Sequence, residues 1–411
     1  MPLLKTLRPT LPILIGASLM LTLSMGLRQS LGIFVQPLTH DIGISVSEFA
    51  LAIAVQNLAW GILQPLAGAW TVRYGFRPVM VAGAILYIAG LVLMADAHGF
   101  LSVMIGSGVL IGTSLACTAA AIAMSVATRA VPETVRSTVL GMVSAAGSLG
   151  ALLSAPIGQV LAEDLGWRAG LTGFVVLALA MVPAAWLAGR ADAIPLPKPS
   201  SDQLGNTSAG AAASKAFGNA SFVVMTCAYS VCGMQLVFIT THLPSYLQIC
   251  GLNPMLSAQT LGVIGGFNVL GSLFFGWAGG RWNKLALLGG IYITRSLVLA
   301  AYFMMPPTPA STLVFGAFMG FLWLGVGPLV AGAVAELFGL QWQAMIQGLA
   351  FMSHQLGSFV GAFGGGLIYD TLGSYDLAWR IGVAVGLSAG VIQVAFALIR
   401  PTAAPPVLRT A

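Results

Sequence analysis

Long apolar stretches divide this chain from end to end and indicate that a lipid bilayer is its solvent. Hydrophobic residues make up 58% of the 411 positions and charged residues only 7%, the reverse of the balance in a soluble domain. A helix needs about 20 predominantly apolar residues to cross the hydrocarbon core. Twelve such stretches, numbered one to twelve, lie at roughly 11–37, 47–70, 78–96, 101–126, 138–162, 169–189, 219–244, 258–279, 285–305, 311–335, 343–369 and 379–400. The sequence therefore predicts an all-α membrane protein with twelve transmembrane helices.

The two halves of the chain repeat one another. Residues 68–77 read GAWTVRYGFR, and residues 276–284 read GWAGGRWNK about 208 positions later. A second echo, LGWRAG from Leu165 and LAWRIG from Leu377, lies about 212 positions apart. Two echoes in register predict two six-helix bundles related by pseudo-two-fold symmetry.

A segment rich in Pro, Ser, Gly and Ala separates the halves, which is the composition of a flexible linker. The predicted domains are an N-terminal bundle at 1–190, a cytoplasmic linker at 191–218, and a C-terminal bundle with a short cytoplasmic tail at 219–411.

Lysine and arginine gather on one side of the predicted spans. That side holds 13 of the 17: Lys5, Arg8, Arg73, Arg77, Arg129, Arg136, Arg190, Lys198, Lys215, Arg281, Lys284, Arg400 and Arg409. The other side holds Arg168 and Arg380. The positive-inside rule predicts a multi-pass protein of the cell inner membrane with both termini cytoplasmic. Because the basic residues stand singly or in pairs at span ends, the net charge of +6 does not indicate a nucleic-acid partner.

The loop after span two resembles the G-x-x-x-D-R-x-G-R-R element of the major facilitator superfamily, and the resemblance covers the whole chain. The residues on pattern are Gly68, Arg73, Gly75 and Arg77, and the second-half copy keeps Gly276, Arg281 and Lys284. Both copies lack the acidic residue, having Val72 and Gly280 instead. In the superfamily that acid helps to latch the cytoplasmic side. The resemblance therefore implies gating roles for Gly68, Arg73, Arg77, Gly276 and Arg281, with a latch that is weaker or built differently.

Three further stretches resemble the bacterial monocarboxylate-porter-like branch: GLRQSLGIFVQPL in span one, FITTHLPSYL in span seven and SHQLGSFVGAFGGG in span eleven. Branch members often place an arginine in span eight, where this sequence has Asn268 and Ser272. The family fold implies that spans one, four, seven and ten line a central cavity. Spans two, five, eight and eleven would flank the interface, and the other four would lie outside.

Two arginines fall inside spans, where an unpaired guanidinium costs at least about 2.5–3.5 kcal/mol. No carboxylate lies deep in a span to pair with either, since Glu48 and Asp96 only touch span ends. Arg28, in span one, is predicted to bind an anionic substrate; the alternative is a side chain that snorkels to the outer interface. Arg295, in span nine, either hydrogen-bonds backbone carbonyls within the second bundle or binds substrate.

Uncharged polar residues at depth are weaker candidates for substrate contacts, because such groups also serve as interhelical hydrogen bonds. The candidates are Gln56, Asn57, Tyr229, Gln235, Asn268, His354 and Gln355. A coupling proton needs a titratable group, and the candidates are His354, Glu336 and the substrate itself.

These features predict a secondary active transporter, working as a monomer by alternating access, for a small organic anion such as a monocarboxylate. One alternative is a transporter of a larger aromatic or amphipathic compound, by drug or metabolite efflux or by vitamin-like uptake. Another is a substrate-sensing membrane receptor on a transporter fold. The sequence has no P-loop, no metal-ligand spacing and no G-x-S-x-G serine, so we expect neither an enzyme nor a bound cofactor.

The topology can be checked with an engineered cysteine near Ser208, in the predicted cytoplasmic linker. Because the basic residues divide 13 against 2, we expect a membrane-impermeant thiol reagent to leave this cysteine unmodified in intact cells. Modification from outside the cell would contradict the assignment.

Overall fold

Long helices make up almost all of the computed structural model, which describes residues 7–196, 207–253 and 255–399. The first half contains α1 (Arg8–Ile42), α2 (Val46–Tyr74), α3 (Phe76–Ala95), α4 (Phe100–Ala130), α5 (Glu133–Leu165) and α6 (Trp167–Ala193). The second half contains α7 (Ala220–Ile249), α8 (Met255–Ala278), α9 (Lys284–Phe303), α10 (Pro309–Phe338), α11 (Gln343–Leu372) and α12 (Asp376–Ile399).

Helix α11 differs from the others in composition. Within the described residues, 11 helices are long and apolar enough to cross a membrane, and α11 is not among them. Its 30 residues are long enough, but the polar run 353–355 and the glycines at 361–366 lower its mean hydropathy. It contacts α7 of its own half and α2 of the other half. A count by hydropathy alone therefore gives one span fewer than the twelve that the sequence predicts. Helix α11 can carry polar residues because neighbouring helices cover part of its surface.

Helices α1, α4 and α10 are each interrupted by an irregular turn. Helix α1 contains a 3-10 turn at Leu31–Phe34, and α4 contains a π-helical turn at Met104–Leu110. Helix α10 breaks between Trp323 and Val326. These are three of the four helices that the family resemblance places around the central cavity. Irregular turns at this depth leave backbone groups for other partners, which is common at functional sites.

Buried hydrophobic side chains form two clusters that follow the two halves. The first runs from Leu7 to Ala191 and also includes Ala331 and Ala344, whereas the second runs from Ala212 to Ala397. Part of the predicted linker, Ala209–Gly218, is a short helix packed on the second cluster. The predicted domain boundaries stay a prediction. Lys5, Pro197, Lys198, Pro199, Asp202, Arg400 and Arg409 lie outside the described residues.

The two halves meet closely at one end of the bundle, where Arg73 and Arg281 lie, which we name the basic end. A Cβ atom added to Gly276 of α8 would lie 2.4 Å from the Cα of Gly141 in α5. One added to Gly68 of α2 would lie 2.4 Å from the backbone nitrogen of Met345 in α11. Only glycine allows backbones to approach so closely, so these contacts hold the basic end shut.

The halves separate toward the opposite end, where Arg168 pairs with Asp41 at 2.6 Å. On α8, Cβ atoms added to Gly262, Gly265 or Gly266 would meet nothing within 4 Å. Gly364, on the matching stretch of α11, is equally uncrowded. These positions indicate that the central cavity implied by the family resemblance is closed at the basic end and opens at the opposite end.

Substituting Gly276 tests this closure. Gly276→Leu forces a side chain against Gly141, and such overpacking costs about 1–3 kcal/mol. We expect a lower melting temperature for purified Gly276→Leu than for the native chain. The matched control is Gly266→Leu, ten residues earlier on the same helix, where the added side chain meets nothing. Equal melting temperatures for the two variants would rule out the tight contact.

Candidate functional site

Arg28 lies in α1 directly before the 3-10 turn and is half-buried between the halves. Its Nε donates to Oε1 of Gln56 at 3.0 Å, and its Nη2 donates to Oδ1 of Asn57 at 2.5 Å. The guanidinium carbon lies 5.1 Å from the ring centroid of Trp60. These partners are neutral, so they orient the guanidinium without neutralising its charge. The side chain is held within the helix bundle by α2, which disfavours the snorkelling alternative.

The π-helical turn of α4 fixes the orientation of Gln56. The Gln56 amide donates from Nε2 to the backbone carbonyl of Ser107 at 2.7 Å. Because Ser107 lies within the turn, the irregular backbone supplies the acceptor. With its nitrogen committed to α4, fully buried Gln56 presents its oxygen to Arg28.

A chain of polar contacts continues from Arg28 into the second half. Gln355 of α11 donates from Nε2 to the backbone oxygen of Asn57 at 3.1 Å. His354 Nδ1 lies 3.3 Å from Oε1 of Gln355, and the ring centroids of His354 and Tyr229 are 4.6 Å apart. We name Arg28, Gln56, Asn57, Gln355, His354 and Tyr229 the Arg28 layer. All six members are residues that the sequence analysis names as candidates for substrate contacts.

An aromatic pair lies one helical turn from this layer, toward the basic end. Trp60 of α2 and Phe351 of α11 have ring centroids 4.5 Å apart and join the two halves. The Phe351 ring is nearly parallel to that of His354, with centroids 5.6 Å apart. We name Trp60 and Phe351 the aromatic floor, because they separate the Arg28 layer from the closed end.

Two glutamines lie beyond the floor, where α4, α10 and α11 meet. Gln343 donates from Nε2 to Oγ1 of Thr128 at 3.1 Å and to the carbonyl of Ala331 at 3.1 Å. Gln347 Nε2 lies 3.9 Å from the sulfur of Met124. The Oε1 atoms of both glutamines are buried, and neither has a hydrogen-bond partner among the residues that the structure describes. We name Gln343 and Gln347 the polar gate.

Arg295 lies apart from the Arg28 layer, fully buried inside the second half. Its Nε donates to Oε1 of Gln235 at 3.0 Å, and its Nη1 donates to Sγ of Cys232 at 3.3 Å. Gln235 in turn donates to Oγ of Ser296 at 3.0 Å and to the carbonyl of Gly382 at 2.8 Å. The partners of Arg295 are side chains, where the sequence suggested backbone carbonyls. In this conformation, Gln235 supports Arg295 and is 2% exposed, so neither residue is open to the cavity.

Asn268 is also distant from the Arg28 layer. Its Oδ1 accepts a hydrogen bond from the backbone nitrogen of Leu324 at 3.3 Å, where α10 is broken. The contact satisfies a donor that the break exposes. Substrate binding by Asn268, Gln235 and Arg295 stays a prediction.

The residues predicted to act in gating divide into two groups. Gly68 and Gly276 lie at the contact between the halves. Arg73 lies over Tyr74 of its own helix, with the guanidinium carbon 5.2 Å from the ring centroid. Arg281, in the turn after α8, lies over Trp277 at 4.2 Å. Arg77 lies 4.5 Å from the Trp186 ring of α6. The gating roles stay predictions. They agree better with the positions of the two glycines, which lie where the halves touch, than with those of the arginines.

Asp192 is a structural residue that the sequence reasoning missed. Its carboxylate accepts from the backbone nitrogens of Phe76 and Arg77, at 2.8 Å and 3.0 Å. These nitrogens begin α3, where a carboxylate is favourable because of the helix dipole. Gly75 has φ +89°, and a Cβ atom there would lie 2.8 Å from Asp192 Oδ2. Asp192, at the end of α6, therefore stabilises the loop after α2, which has Val72 in place of the acidic residue of the family element.

A surface groove of 290 Å³ lies between α8, α9 and α10, and its lining includes Phe275, Trp282 and Ile291. None of the predicted substrate-binding residues lines it. Within the ranges that the structure describes, no group of three or more His, Cys, Asp or Glu side chains is arranged to hold a metal ion.

The buried contact between Arg295 and Gln235 can be tested by deletion. Gln235→Leu leaves the Arg295 Nε without an acceptor, and a stranded buried donor costs about 1–3 kcal/mol, or more when charged. We expect a clear fall in melting temperature. The control is Gln248→Leu, an exposed glutamine on the same helix, which should change little.

The double variant Gln235→Leu with Arg295→Met removes both partners. We expect it to be less destabilised than the sum of the two single variants, because neither partner is then stranded. Strict additivity would show that the contact has no energetic weight.

Known transporters are similar to this chain in sequence and in fold. It is 25% identical over 400 residues to monocarboxylate transporter 11 of Homo sapiens, covering 93% of this chain and 82% of the relative. It is 25% identical over 393 residues to an uncharacterized MFS-type transporter, YcxA, of Bacillus subtilis, covering 90% of this chain and 91% of that protein. The solved structure of the proton:xylose symporter XylE matches with a TM-score of 0.70 at 14% identity, covering 96% of each chain.

The sequence also matches a family model along most of its length. Residues 17–362 match the model of the Major Facilitator Superfamily. Together with the fold, this match confirms the predicted fold class, and the relatives are transporters and not enzymes. The chain is therefore a multi-pass membrane protein that belongs to the Major Facilitator Superfamily.

Proposed function

We propose that this chain is a secondary active transporter that moves a small organic anion, such as a monocarboxylate, across the cell inner membrane by alternating access. The observation that carries the proposal is Arg28, a half-buried cation between the halves whose hydrogen-bond partners are amides. The basic end would be cytoplasmic, following the positive-inside rule. The cavity would then be open to the outside.

The guanidinium of Arg28 has bonding capacity left for a ligand. Of its five N–H donors, Gln56 and Asn57 take one each. The remaining donors include those of Nη1, and a carboxylate matches the planar geometry of a guanidinium. In a site of low dielectric, an anion would also supply the counter-charge that two amides cannot. An anion therefore suits this position better than a neutral or cationic solute.

The names of relatives agree with this substrate class. Monocarboxylate transporter 11 of Homo sapiens matches along most of both chains, although only 25% of the aligned residues are identical. This similarity supports a carboxylate-bearing substrate without naming one. A coupling proton stays a prediction, and His354 is the titratable side chain in the Arg28 layer. A monomeric state also stays a prediction.

The polar gate suits a closure that must open. An unsatisfied buried polar group costs about 1–3 kcal/mol, and among the described residues the closed basic end includes such oxygens, those of Gln343 and Gln347 among them. Opening this end would expose both oxygens to water and remove the cost. This cost would lower the stability of the closed state relative to the open state.

Arg28 substitutions test the anion site directly. Arg28→Ala should abolish binding of monocarboxylates, measured by thermal shift and calorimetry with lactate, pyruvate and benzoate. The variant should still fold, because removing a cation without a carboxylate partner relieves a desolvation cost. Arg28→Lys keeps the charge but loses the fork of donors, so we expect binding about tenfold weaker, the equivalent of one hydrogen bond to a charged group.

The control is Arg380→Ala, which removes an exposed arginine near the start of α12 and should leave binding unchanged. Normal affinity in folded Arg28→Ala would end the anion-site proposal. If both Arg28 variants instead lose stability and keep their affinity, the role of Arg28 is structural.

A further inference from the structure

We infer that the transported anion carries an aromatic or conjugated ring next to its carboxylate. This inference rests on the proposed function, in which Arg28 binds the anionic group. It adds the chemistry of the remainder of the substrate, which follows from the side chains that surround Arg28.

One ring lies beside the guanidinium, and three further rings continue from it into the second half. Trp60 of the first half lies beneath it, with 5.1 Å between the guanidinium carbon and the ring centroid. Phe351 continues from Trp60 at 4.5 Å, and His354 from Phe351 at 5.6 Å, both measured between centroids. Tyr229 follows at 4.6 Å from His354. The anion site therefore adjoins a row of four rings joined by three ring contacts, of which Trp60 and Phe351 lie on the closed side.

Three of these rings are incompletely buried. Phe351, His354 and Tyr229 are each half-buried, like Arg28 itself, whereas Trp60 is 6% exposed. Phe351 and His354 belong to the helix that contacts α2 of the other half. A ligand held by Arg28 would lie next to Trp60, from which the rings with remaining surface continue. A substrate with its carboxylate on Arg28 thus meets ring carbon with the rest of its body.

Ring contacts distinguish an aromatic acid from an aliphatic acid of equal charge and similar volume. Tilted and edge-to-face ring pairs contribute beyond the area that they bury, because the positive edge of one ring meets the negative face of another. The Trp60–Phe351 and Tyr229–His354 pairs, at 44° and 52°, already have this tilt. The extra stabilisation from one such ring pair corresponds to a dissociation constant about three- to tenfold lower for an aromatic acid than for a saturated one.

The experiment uses the full chain, purified in detergent, and measures dissociation constants by calorimetry. Two matched pairs serve as probes: benzoate with cyclohexanecarboxylate, and cinnamate with 3-cyclohexylpropanoate. Within each pair the charge is the same and only the ring is saturated. We expect the aromatic acid of at least one pair to bind about three- to tenfold more tightly. Benzamide, which keeps the ring of benzoate without its charge, should not bind measurably.

Variants locate the preference on the aromatic floor. Phe351→Leu should reduce the aromatic preference to about one while changing the affinity for the saturated acid by less than about twofold. Phe359→Leu is the control, because Phe359 lies two turns farther along the same helix and is 53% exposed. It should keep the full preference. Retention of the full preference in folded Phe351→Leu would overturn the assignment to these rings.

The outcomes separate this inference from the proposed function. Equal binding of both acids in each pair, or tighter binding of the saturated acids, overturns the aromatic inference and leaves an anion transporter. Failure of all four acids to bind the folded chain overturns the anion site itself, and the inference with it.

Discussion

A positive charge that is hydrogen-bonded to two neutral amides, placed between two helix bundles, is the constraint on which this site depends. Water solvates such a charge at a surface, but inside a bilayer the protein must supply the substitutes. Here Gln56 and Asn57 supply oxygens, and Ser107 fixes one of them through a turn that an ordinary α-helix lacks. Because Gln355 reaches Asn57 from the other half, the environment of Arg28 also depends on how the halves are arranged. In the proposed function, Asn57 would thereby link the binding of an anion by Arg28 to the movement of one half against the other.

The closed end relies on shape more than on charge. Backbones approach closely at Gly141 with Gly276 and at Gly68 with Met345, and the charged groups nearby mostly bind within their own halves. Close backbone approach gives many weak dispersion contacts that are lost together when the surfaces part. Such a contact changes little with ionic strength, unlike a latch built from exposed ion pairs. The missing acid in the loop after α2 is consistent with this construction.

Sequence reasoning located the helices well because the bilayer imposes a length and a composition on each of them. It also identified polar residues by depth, and six of the candidate residues meet in the Arg28 layer. Depth alone does not give the direction in which a side chain points, so Gln235 could not be recognised as the partner of Arg295. Nor does it reveal a partner far along the chain, which is why Asp192 was missed. The polar gate was equally hidden, since unsatisfied oxygens are visible only once the surrounding atoms are placed.

The irregular turns of α4 and α10 have a consequence for the history of the molecule. Gln56 of α2 bonds to the backbone of α4 at Ser107, and Asn268 of α8 bonds to the backbone of α10 at Leu324. The two side chains lie about 212 positions apart, the same spacing as the echo before α6 and α12. The backbone groups that they contact lie 217 positions apart, so the two contacts do not correspond in detail. The repetition of the two halves has therefore kept an amide at matching positions but not its partner, and one amide donates where the other accepts.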